Sequence, residues 1–385
     1  MKIRFLSALS PLALLAASCG SSAAGDSAKP AAAEVKDQFK VEVLGTFDEP
    51  WSMALFPGGD SALITERSGS VKVWSKYPVQ TVLNSPKVDY GGQGGLGDIA
   101  VSPGYATENR SGDGGTVYMS WVEAGPGNTR GAVVGRALYD AGHLQPRFQA
   151  FEIIWRQTPK VTGRGHFSHR IAFSPDGKYL FVSSGERQKF TPAQDLTNNL
   201  GKVLRLNLDG TPAAGNPFES MGGVSAQIWS YGHRNLLGLQ FDASGQLWDL
   251  EHGPAGGDEL NKIEPGKNYG WPLVSDGDNY DGTPIPRNST RPDLAQPAIS
   301  WNPVIAPGDF IFYSGKMWPE WKGQAMIAGM GYPGLVRVRI EGDKGHEEAR
   351  YPLGHRIREI REAPDGSLLL LEDGKGGRLL RLTRK

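Results

Sequence analysis

One short phrase recurs along this chain, and it constrains the fold more than any other feature of the sequence. In each copy, a turn built on glycine with proline or aspartate is followed at once by a run of apolar residues. The copies stand at residues 56–67, 174–182, 242–248 and 363–370. Turn residues that bound short apolar runs are typical of β-hairpins. The repetition predicts many small hairpins of one kind.

Apolar and charged residues alternate in the runs between these copies, as in Val203-Leu204-Arg205-Leu206. Alternation with a period of two predicts β-strands, and we expect each strand to have one wet face. The 52 glycines and 27 prolines interrupt nearly every window that is long enough for a helix. We therefore predict an all-β protein in which four-stranded antiparallel sheets are arranged radially as a β-propeller. The copies are irregularly spaced, so they do not give the number of blades, and long loops are expected to carry the function.

The first residues look like an export signal of the bacterial lipoprotein type. Lys2 and Arg4 precede an apolar run at 5–17 that is too short to span a membrane. Cys19, the single cysteine, follows this run directly, so we expect a signal at 1–18 and lipidation of Cys19. Ordinary signal cleavage after Ala23 or Ala24 is the alternative. Both readings predict an exported or periplasmic protein, with lipidation anchoring it to the outer membrane, a flexible tether at 19–38 and the propeller at 39–385.

The charges of the chain balance, with 41 Lys and Arg against 41 Asp and Glu. No net field attracts nucleic acid or an anionic membrane surface. We therefore expect no nucleic-acid partner, and contact with a membrane only through the lipid anchor. The sequence leaves open whether the protein is a monomer or a homodimer.

Four polar, glycine-rich segments stand apart because packing does not require them. In Gly-Gln-Gly-Gly at 92–95, glycine lets the backbone approach a ligand and Gln93 offers a donor and an acceptor, although a tight turn is the plain alternative. In Gly-His-Phe-Ser-His at 165–169, His166 titrates near neutrality and can take a proton from a hydroxyl. A structural histidine is one alternative. A metal pair with His169 is disfavoured, because residues three apart in a strand point to opposite faces.

The third and fourth segments combine cationic and oxygen-rich groups. Tyr-Gly-His-Arg-Asn at 231–235 carries Arg234, whose planar fork suits carboxylates, beside the amide of Asn235. A surface ion pair of the arginine is the alternative for this segment. Glu-His-Gly-Pro at 251–254 runs on to Tyr-Gly-Trp-Pro at 269–272 and supplies the carbonyls and carboxylates that calcium prefers. A solvated turn is the alternative for the fourth segment.

In this order and at these spacings, the four segments resemble the soluble aldose sugar dehydrogenases of the glucose/sorbosone dehydrogenase family, which depend on pyrroloquinoline quinone (PQQ). The likeness runs from about residue 47 to 382 and is strongest at 166–186, 193–209 and 228–272. It implies a six-bladed propeller with PQQ in a depression at its top. It also implies oxidation of an aldose at its anomeric carbon to a lactone, with the electrons passed to an external acceptor.

The resemblance assigns roles to single residues. His166 is expected to be the general base that takes the proton from the anomeric hydroxyl while hydride passes to PQQ. The cofactor contacts that it implies are Gln93, Arg234, Asn235, Gly329, Met330, Arg356 and Arg358. The calcium ligands that it implies are the carbonyls of Gly253 and Pro254, at the ion that polarises PQQ, and Glu259 and Tyr269 at a second, structural ion.

The chain departs from the family pattern in two places, one of them a pair of adjacent residues. Gly331 stands where a Lys or Arg is common, so one cationic contact to PQQ is missing and we expect weaker cofactor binding. Ser168 and His169 stand where Gly-Gly is common, and the bulk of His169 is expected to narrow the sugar pocket or to change its preference.

Three alternative functions follow from the same residues. One is the same chemistry on an aldehyde-like sugar derivative of the sorbosone type, because substrate loops transfer poorly between relatives. Another is a non-catalytic propeller that binds a carbohydrate or a protein and has lost the cofactor, which Gly331 favours. The last is a calcium-dependent lactone hydrolase, although the sequence offers no clear match for carboxylates that converge on the propeller axis.

Overall fold

Each copy of the recurring phrase forms the turn between the first and second strands of a four-stranded sheet. The turn closes through the amide of its glycine, as in Gly177 N to Ser174 O at 2.8 Å and Gly366 N to Ala363 O at 2.8 Å. Gly177 and Gly366 have φ of 71° and 86°, a left-handed conformation that glycine adopts without a steric penalty. The local sequence thus fixes where the chain reverses in each of these sheets.

The computed structural model describes residues 38–108, 114–142 and 144–385, and these residues form six four-stranded antiparallel sheets. The predicted six-bladed β-propeller is confirmed. The predicted signal, Cys19 and the tether as far as residue 37 lie outside the described residues. Within the described ranges, no helix is long and apolar enough to cross a membrane.

The blades follow the chain in order, each with its innermost strand first. Blades one and two are β2 (Pro50–Leu55), β3 (Ala62–Glu66), β4 (Ser70–Trp74), β5 (Gln80–Thr81), then β6 (Leu96–Val101), β7 (Gly114–Ala124), β8 (Arg130–Asp140), β9 (Arg147–Arg156). Blades three and four are β10 (Ser168–Phe173), β11 (Tyr179–Ser184), β12 (Lys202–Asn207), β13 (Ile228–Tyr231), then β14 (Leu236–Phe241), β15 (Leu247–Glu251), β16 (Asp258–Lys262), β17 (Ile299–Trp301). Blades five and six are β18 (Pro307–Phe312), β19 (Ala325–Gly329), β20 (Gly334–Glu341), β21 (Lys344–Pro352), then β22 (Ile357–Glu362), β23 (Leu368–Glu372), β24 (Lys375–Arg384) and β1 (Phe39–Asp48).

Helical segments are short and lie in the connections. The described residues contain one α-helical turn, Tyr105–Glu108. The 3-10 turns are Pro126–Asn128, Thr191–Gln194, Glu219–Met221, Ser225–Gln227, Asn288–Thr290 and Pro319–Trp321.

The ring closes because the first strand completes the last blade. β1 pairs antiparallel with β24, with Val41 opposite Leu382 and Phe47 opposite Gly377. The inner strands of neighbouring blades contact one another around the whole ring. Closure leaves no gap between the first and last blades, so the inner strands surround a single axis.

Apolar residues fill all six interfaces between blades. In β23, Leu368 and Leu370 pack towards blade five, whereas Leu369 and Leu371 pack towards blade one. The expectation of one wet face is therefore wrong for this strand, because each sheet is covered on both sides by its neighbours. The same burial explains why its sequence is continuously apolar rather than alternating.

Charged side chains from the inner strands meet at the axis. Arg170 Nη1 lies 2.6 Å from Glu359 Oε2 and 3.4 Å from Asp98 Oδ1, and Arg361 pairs with Asp309 and Glu359. Carboxylates do converge on the axis, although the sequence offered no clear match for such a group. Two guanidinium groups offset part of the charge of these three carboxylates within the described cluster.

Candidate functional site

A depression opens at one end of the axis, and all six blades contribute to its wall. The wall includes the predicted residues Gln93, Asn235, Met330, Arg356 and Arg358, together with Trp51, Arg67, Gly92, Phe167, Ser168, His169, Leu237 and His252. A neighbouring recess contains the predicted residues Arg234, Gly253, Glu259 and Tyr269, and His252 belongs to both walls. The structure thus brings residues from the four polar segments together. His166, Gly329 and Pro254 are buried beside wall residues without lining either space.

His166 is joined to a carboxylate that the sequence did not single out. Its Nδ1 hydrogen-bonds Glu186 Oε1, and both side chains are buried. Glu186 also accepts the backbone amides of Gln188, Lys189 and Phe190 at 2.9, 2.5 and 2.7 Å. Because Nδ1 donates to this fixed carboxylate, the lone pair of the neutral imidazole is on Nε2.

The protonation of this pair suits a general base. Burial, followed by the charge of Arg234, lowers the pKa of His166 below its ordinary value of 6.5, although the bond to Glu186 opposes this shift. Burial would raise the pKa of Glu186, but the hydrogen bond and charge of His166 and the amide of Phe190 lower it overall. At neutral pH the imidazole is therefore neutral and the carboxylate is ionised.

Gln93 is held by the backbone beside His166. The side-chain Oε1 of Gln93 accepts a hydrogen bond from the backbone amide of His166 at 2.6 Å. The backbone amide of Gln93 donates to Arg164 O at 2.8 Å. Since the side-chain oxygen is occupied, Gln93 can offer a ligand its Nε2 donor. The glycines of its turn are required, because a Cβ on Gly92 would lie 2.6 Å from Arg164 O.

Arg234 lies at the predicted calcium turn. Its Nη1 donates to His252 O at 3.0 Å and to Gly253 O at 2.8 Å, so two carbonyls of this turn converge on a cationic group. The amide of Arg234 donates to Glu251 Oε2 at 2.6 Å, which ties the third segment to the fourth. Arg234 Nε is buried and has no hydrogen-bond partner among the described residues.

His252 forms the partition between the depression and the recess. Its Nε2 donates to Pro307 O at 2.7 Å, and burial lowers its pKa to about 3. The ring is therefore neutral, with Nδ1 as an acceptor.

The recess is strongly acidic. Glu251 and Glu259 are paired across β15 and β16, and both are buried. Burial and the charge of Glu251 raise the pKa of Glu259 well above its ordinary value. The hydroxyl of Tyr269 bonds Lys262 O and the amide of Glu264, so a metal ligand from Tyr269 would be its carbonyl oxygen.

A buried histidine underlies this acidic pair. His233 Nδ1 lies 3.2 Å from Glu251 Oε1 and 3.3 Å from Asp249 Oδ2. Burial alone would lower the pKa of His233, but the bonds to Asp249 and Glu251 raise it to about 9. The protonated ring balances part of the negative charge behind the recess.

Arginines line the depression on the opposite side. Arg356 and Arg358 both pair with Asp373, at 2.8 and 2.7 Å, and Arg67 lines the same wall. Gly331 carries no charge, and a Cβ there would lie only 2.9 Å from Ala306 Cβ. The depression therefore presents three guanidinium groups although the cation at position 331 is missing.

An aromatic pair flanks the His166–Glu186 pair. Phe190 is 47% exposed and stacks on Trp271, with ring centroids 5.6 Å apart. The amide of Phe190 is bound to Glu186, so this exposed ring is placed by the carboxylate that also orients His166.

Four residues of the site were not predicted from the sequence: Glu186, Arg67, His252 and Phe190. A signal for Glu186 exists, because it lies just after β11, and Ser184 at the end of that strand pairs with Ser168 of the His166 segment. His252 also had a signal, because it lies in the fourth polar segment next to Gly253. Arg67 and Phe190 lie outside the four segments and have no such signal.

Comparison with known proteins gives a consistent result. The family model described as Glucose / Sorbosone dehydrogenase matches residues 47–381. The aldose sugar dehydrogenase YliI of Escherichia coli is 36% identical over 355 residues, covering 89% of this chain and 92% of the relative. The crystal structure of the soluble aldose sugar dehydrogenase from Escherichia coli in the apo-form has a TM-score of 0.84 at 35% identity, covering 90% of this chain and 100% of that one. The PQQ-bound aldose sugar dehydrogenase of Streptomyces coelicolor has a TM-score of 0.71 at 28% identity, covering 90% and 99%.

Proposed function

We propose, since this chain belongs to the glucose/sorbosone dehydrogenase family, that it is a PQQ-dependent oxidoreductase that converts aldoses to lactones. The substrate is oxidised at its anomeric carbon, and the electrons pass to an external acceptor. The observation that carries the proposal is the buried His166–Glu186 pair beside a depression lined by arginines.

The residues present fit both the cofactor and the ion. PQQ carries three carboxylates, which suit Arg67, Arg356 and Arg358 in the wall. The two carbonyls that converge on the Arg234 guanidinium form a cradle for positive charge. When bound, PQQ supplies a hydride acceptor, and calcium at the Gly253 turn supplies a Lewis acid that polarises its quinone carbonyl.

Several residues would hold the cofactor. Gln93 and Asn235 would donate from their amide nitrogens, and Arg234 would leave the carbonyls of the turn to bind a carboxylate when calcium takes its place. Glu259 and the carbonyl of Tyr269 would hold the second calcium, because an ion there offsets the buried negative charge of the acidic pair.

His166 would act as the general base. Its Nε2 takes the proton of the anomeric hydroxyl as the hydride leaves the same carbon, and the product is the lactone. Glu186 fixes the tautomer and stabilises the imidazolium that forms. The buried position of the pair excludes water from the proton-transfer path.

The aromatic pair would receive the sugar ring. An exposed aromatic side chain beside a catalytic base is a favourable surface for the apolar face of a pyranose. Phe190 and Trp271 therefore favour an aldose over an acyclic substrate.

Reconstitution tests the proposal. The protein is stripped of metal, PQQ is added with and without calcium, and dye reduction is followed with glucose and a panel of aldoses. We expect activity only when both additions are present, and its loss in His166→Ala with PQQ still bound. His346→Ala, at an exposed histidine of β21, is the matched control.

Each negative outcome has a definite meaning. PQQ binding without turnover of any aldose would point to a sorbosone-type or other substrate. Absence of PQQ binding would refute the dehydrogenase proposal and favour the non-catalytic propeller.

We also propose that the protein is exported, with a lipid on Cys19 and a tether before the propeller. Mass spectrometry of the mature protein and of Cys19→Ser tests this. An unlipidated chain that starts beyond Cys19 would contradict it.

A further inference from the structure

Two adjacent residues in the wall of the depression hold a backbone conformation that their side chains disfavour. Ser168 and His169 have φ of 58° and 65°, and the ladder between β10 and β11 is irregular from Ser168 to Ile171. Glycine adopts positive φ freely, whereas a residue with a Cβ is strained there. Residues with such backbone strain persist only when the surrounding structure holds them in place, and they cluster at functional sites.

Ser168 fixes the side-chain amide of Asn235. Its hydroxyl donates to Asn235 Oδ1 at 3.3 Å and accepts the amide of Leu236 at 2.9 Å. Because the oxygen of Asn235 is engaged by Ser168, the group that Asn235 can offer to a ligand in the depression is its Nδ2 donor.

His169 fixes Trp51. Its ring stacks on Trp51 with centroids 5.3 Å apart and planes 14° apart, and its Nδ1 lies 2.8 Å from Ser120 Oγ. Room for the ring depends on Gly97, where a Cβ would lie 1.9 Å from His169 Cε1. His169 is only 2% exposed, so it bounds the depression mainly through the indole that it supports.

Trp51 is a flat, apolar part of the wall. It packs with Leu237 and Met330 in one buried cluster, and all three line the depression. The guanidinium of Arg170 lies 4.0 Å from the centre of its indole, so two neighbouring residues of β10 hold one aromatic plane.

We propose that Ser168 and His169 are positioning residues for the cofactor: they hold the Asn235 amide and the Trp51 plane ready for a flat, carboxylate-bearing quinone. The inference rests on the proposed PQQ-dependent function. It explains why a strained pair stands here instead of glycine. It also gives the site a source of affinity that does not depend on a cation at Gly331.

The test uses Ser168→Gly, His169→Gly and the double variant. Binding of PQQ with calcium is measured by quenching of tryptophan fluorescence and by equilibrium dialysis, and unfolding of each cofactor-free protein is followed by heating. Glycine relieves the strained φ, so we expect the cofactor-free Tm of Ser168→Gly to stay close to that of the parent. His169→Gly also empties a buried position against Trp51, so its Tm should fall. We expect the Kd for PQQ to rise about tenfold in each single variant, as for outer-shell partners of bound metals.

Further variants separate the contributions. Ser168→Ala removes the hydroxyl and keeps the Cβ, and should weaken binding as Ser168→Gly does. His169→Phe keeps the stacking on Trp51 and should restore part of the affinity lost in His169→Gly. Asn84→Gly is the matched control, because Asn84 also has positive φ, 61°, but bonds Phe148 O in blade two.

The outcomes are distinguishable. A parent protein that binds PQQ, with glycine variants that bind it equally well, would overturn the inference and leave the proposed function standing. A rise in Kd that occurs only together with a large loss of Tm would also overturn it, because the role would then be structural. A parent that does not bind PQQ would overturn the proposed function, and the inference with it.

Discussion

Replacing Glu186 by Gln should abolish most of the activity without removing the cofactor. The NH2 group that Gln introduces cannot accept a hydrogen bond. Its position therefore loses the bonds that the carboxylate makes either with Lys189 and Phe190 or with Gln188 and His166. With the NH2 group towards His166, the histidine loses its fixed tautomer, and in the other orientation it loses the negative charge that stabilises its imidazolium. A positioned general base contributes about 10²–10⁴-fold to a rate, so kcat should fall by that order. Two lost bonds to a charged acceptor should cost about 3 kcal/mol or more of unfolding free energy.

The pH dependence of kcat/KM tests the same pair, and its direction follows from the pKa of His166. The folded pKa of His166 lies below 6.5, so kcat/KM should be constant above that value and fall as the pH drops through the folded pKa, where the base becomes protonated. Because the bond to Glu186 raises this pKa, Glu186→Gln should move the acid limb to lower pH. Burial disfavours the protonated ring in the folded state, so His166 makes folding less stable as the pH falls through 6.5.

The assay combines dye-coupled kinetics at saturating PQQ and calcium, the Kd for PQQ, and denaturant unfolding. Glu347→Gln is the matched control, because Glu347 accepts Trp301 Nε1 at 2.8 Å and pairs with Arg350 on the outer strand of blade five. The control should lose stability and keep its kcat. A Glu186→Gln enzyme that retains the parent kcat and acid limb would refute the role assigned to the pair.

Three further results are expected. Gly97→Ala should cost about 1–3 kcal/mol of unfolding free energy by overpacking against His169, and His169→Gly should restore it in a double-mutant cycle. Asp373→Asn should release Arg356 and Arg358 and weaken PQQ binding several-fold in equilibrium dialysis, whereas an unchanged Kd would mean that these arginines do not reach the cofactor. Removal of calcium by a chelator should lower Tm, because calcium at about a hundred times its Kd adds about 2.7 kcal/mol; an unchanged Tm would argue against a structural ion.

Local sequence was sufficient for the hairpins and insufficient for their arrangement. The turn at residues 174–177 is closed by its own glycine, and such turns can be recognised from a few neighbouring residues. The blade number came from the resemblance, because it depends on how the sheets pack around the axis. The expectation of a wet face failed at β23 for the same reason, since burial of the second face is decided by the neighbouring blade.

The contacts within the site show a similar division. The residue types of the polar segments, together with the family resemblance, were enough to nominate His166 and Gln93, whose bond joins two of those segments. The hydrogen bond from the Arg234 guanidinium to Gly253 O could not be predicted. Every residue has a backbone carbonyl, and the sequence does not indicate which group that oxygen binds.

The balanced composition concealed a separation of charge that matters for the proposed chemistry. Equal numbers of acidic and basic residues exclude a long-range field, yet arginines line the depression while Glu251, Glu259 and Asp249 are buried at the recess. His252 stands between the two and is held neutral by burial. The depression on one side of His252 favours a polyanion, and the recess on the other side favours a divalent cation. The two spaces share one continuous wall. Composition sums over the whole chain, whereas recognition depends on the field at one place, so this arrangement became visible only when the blades were assembled around the axis.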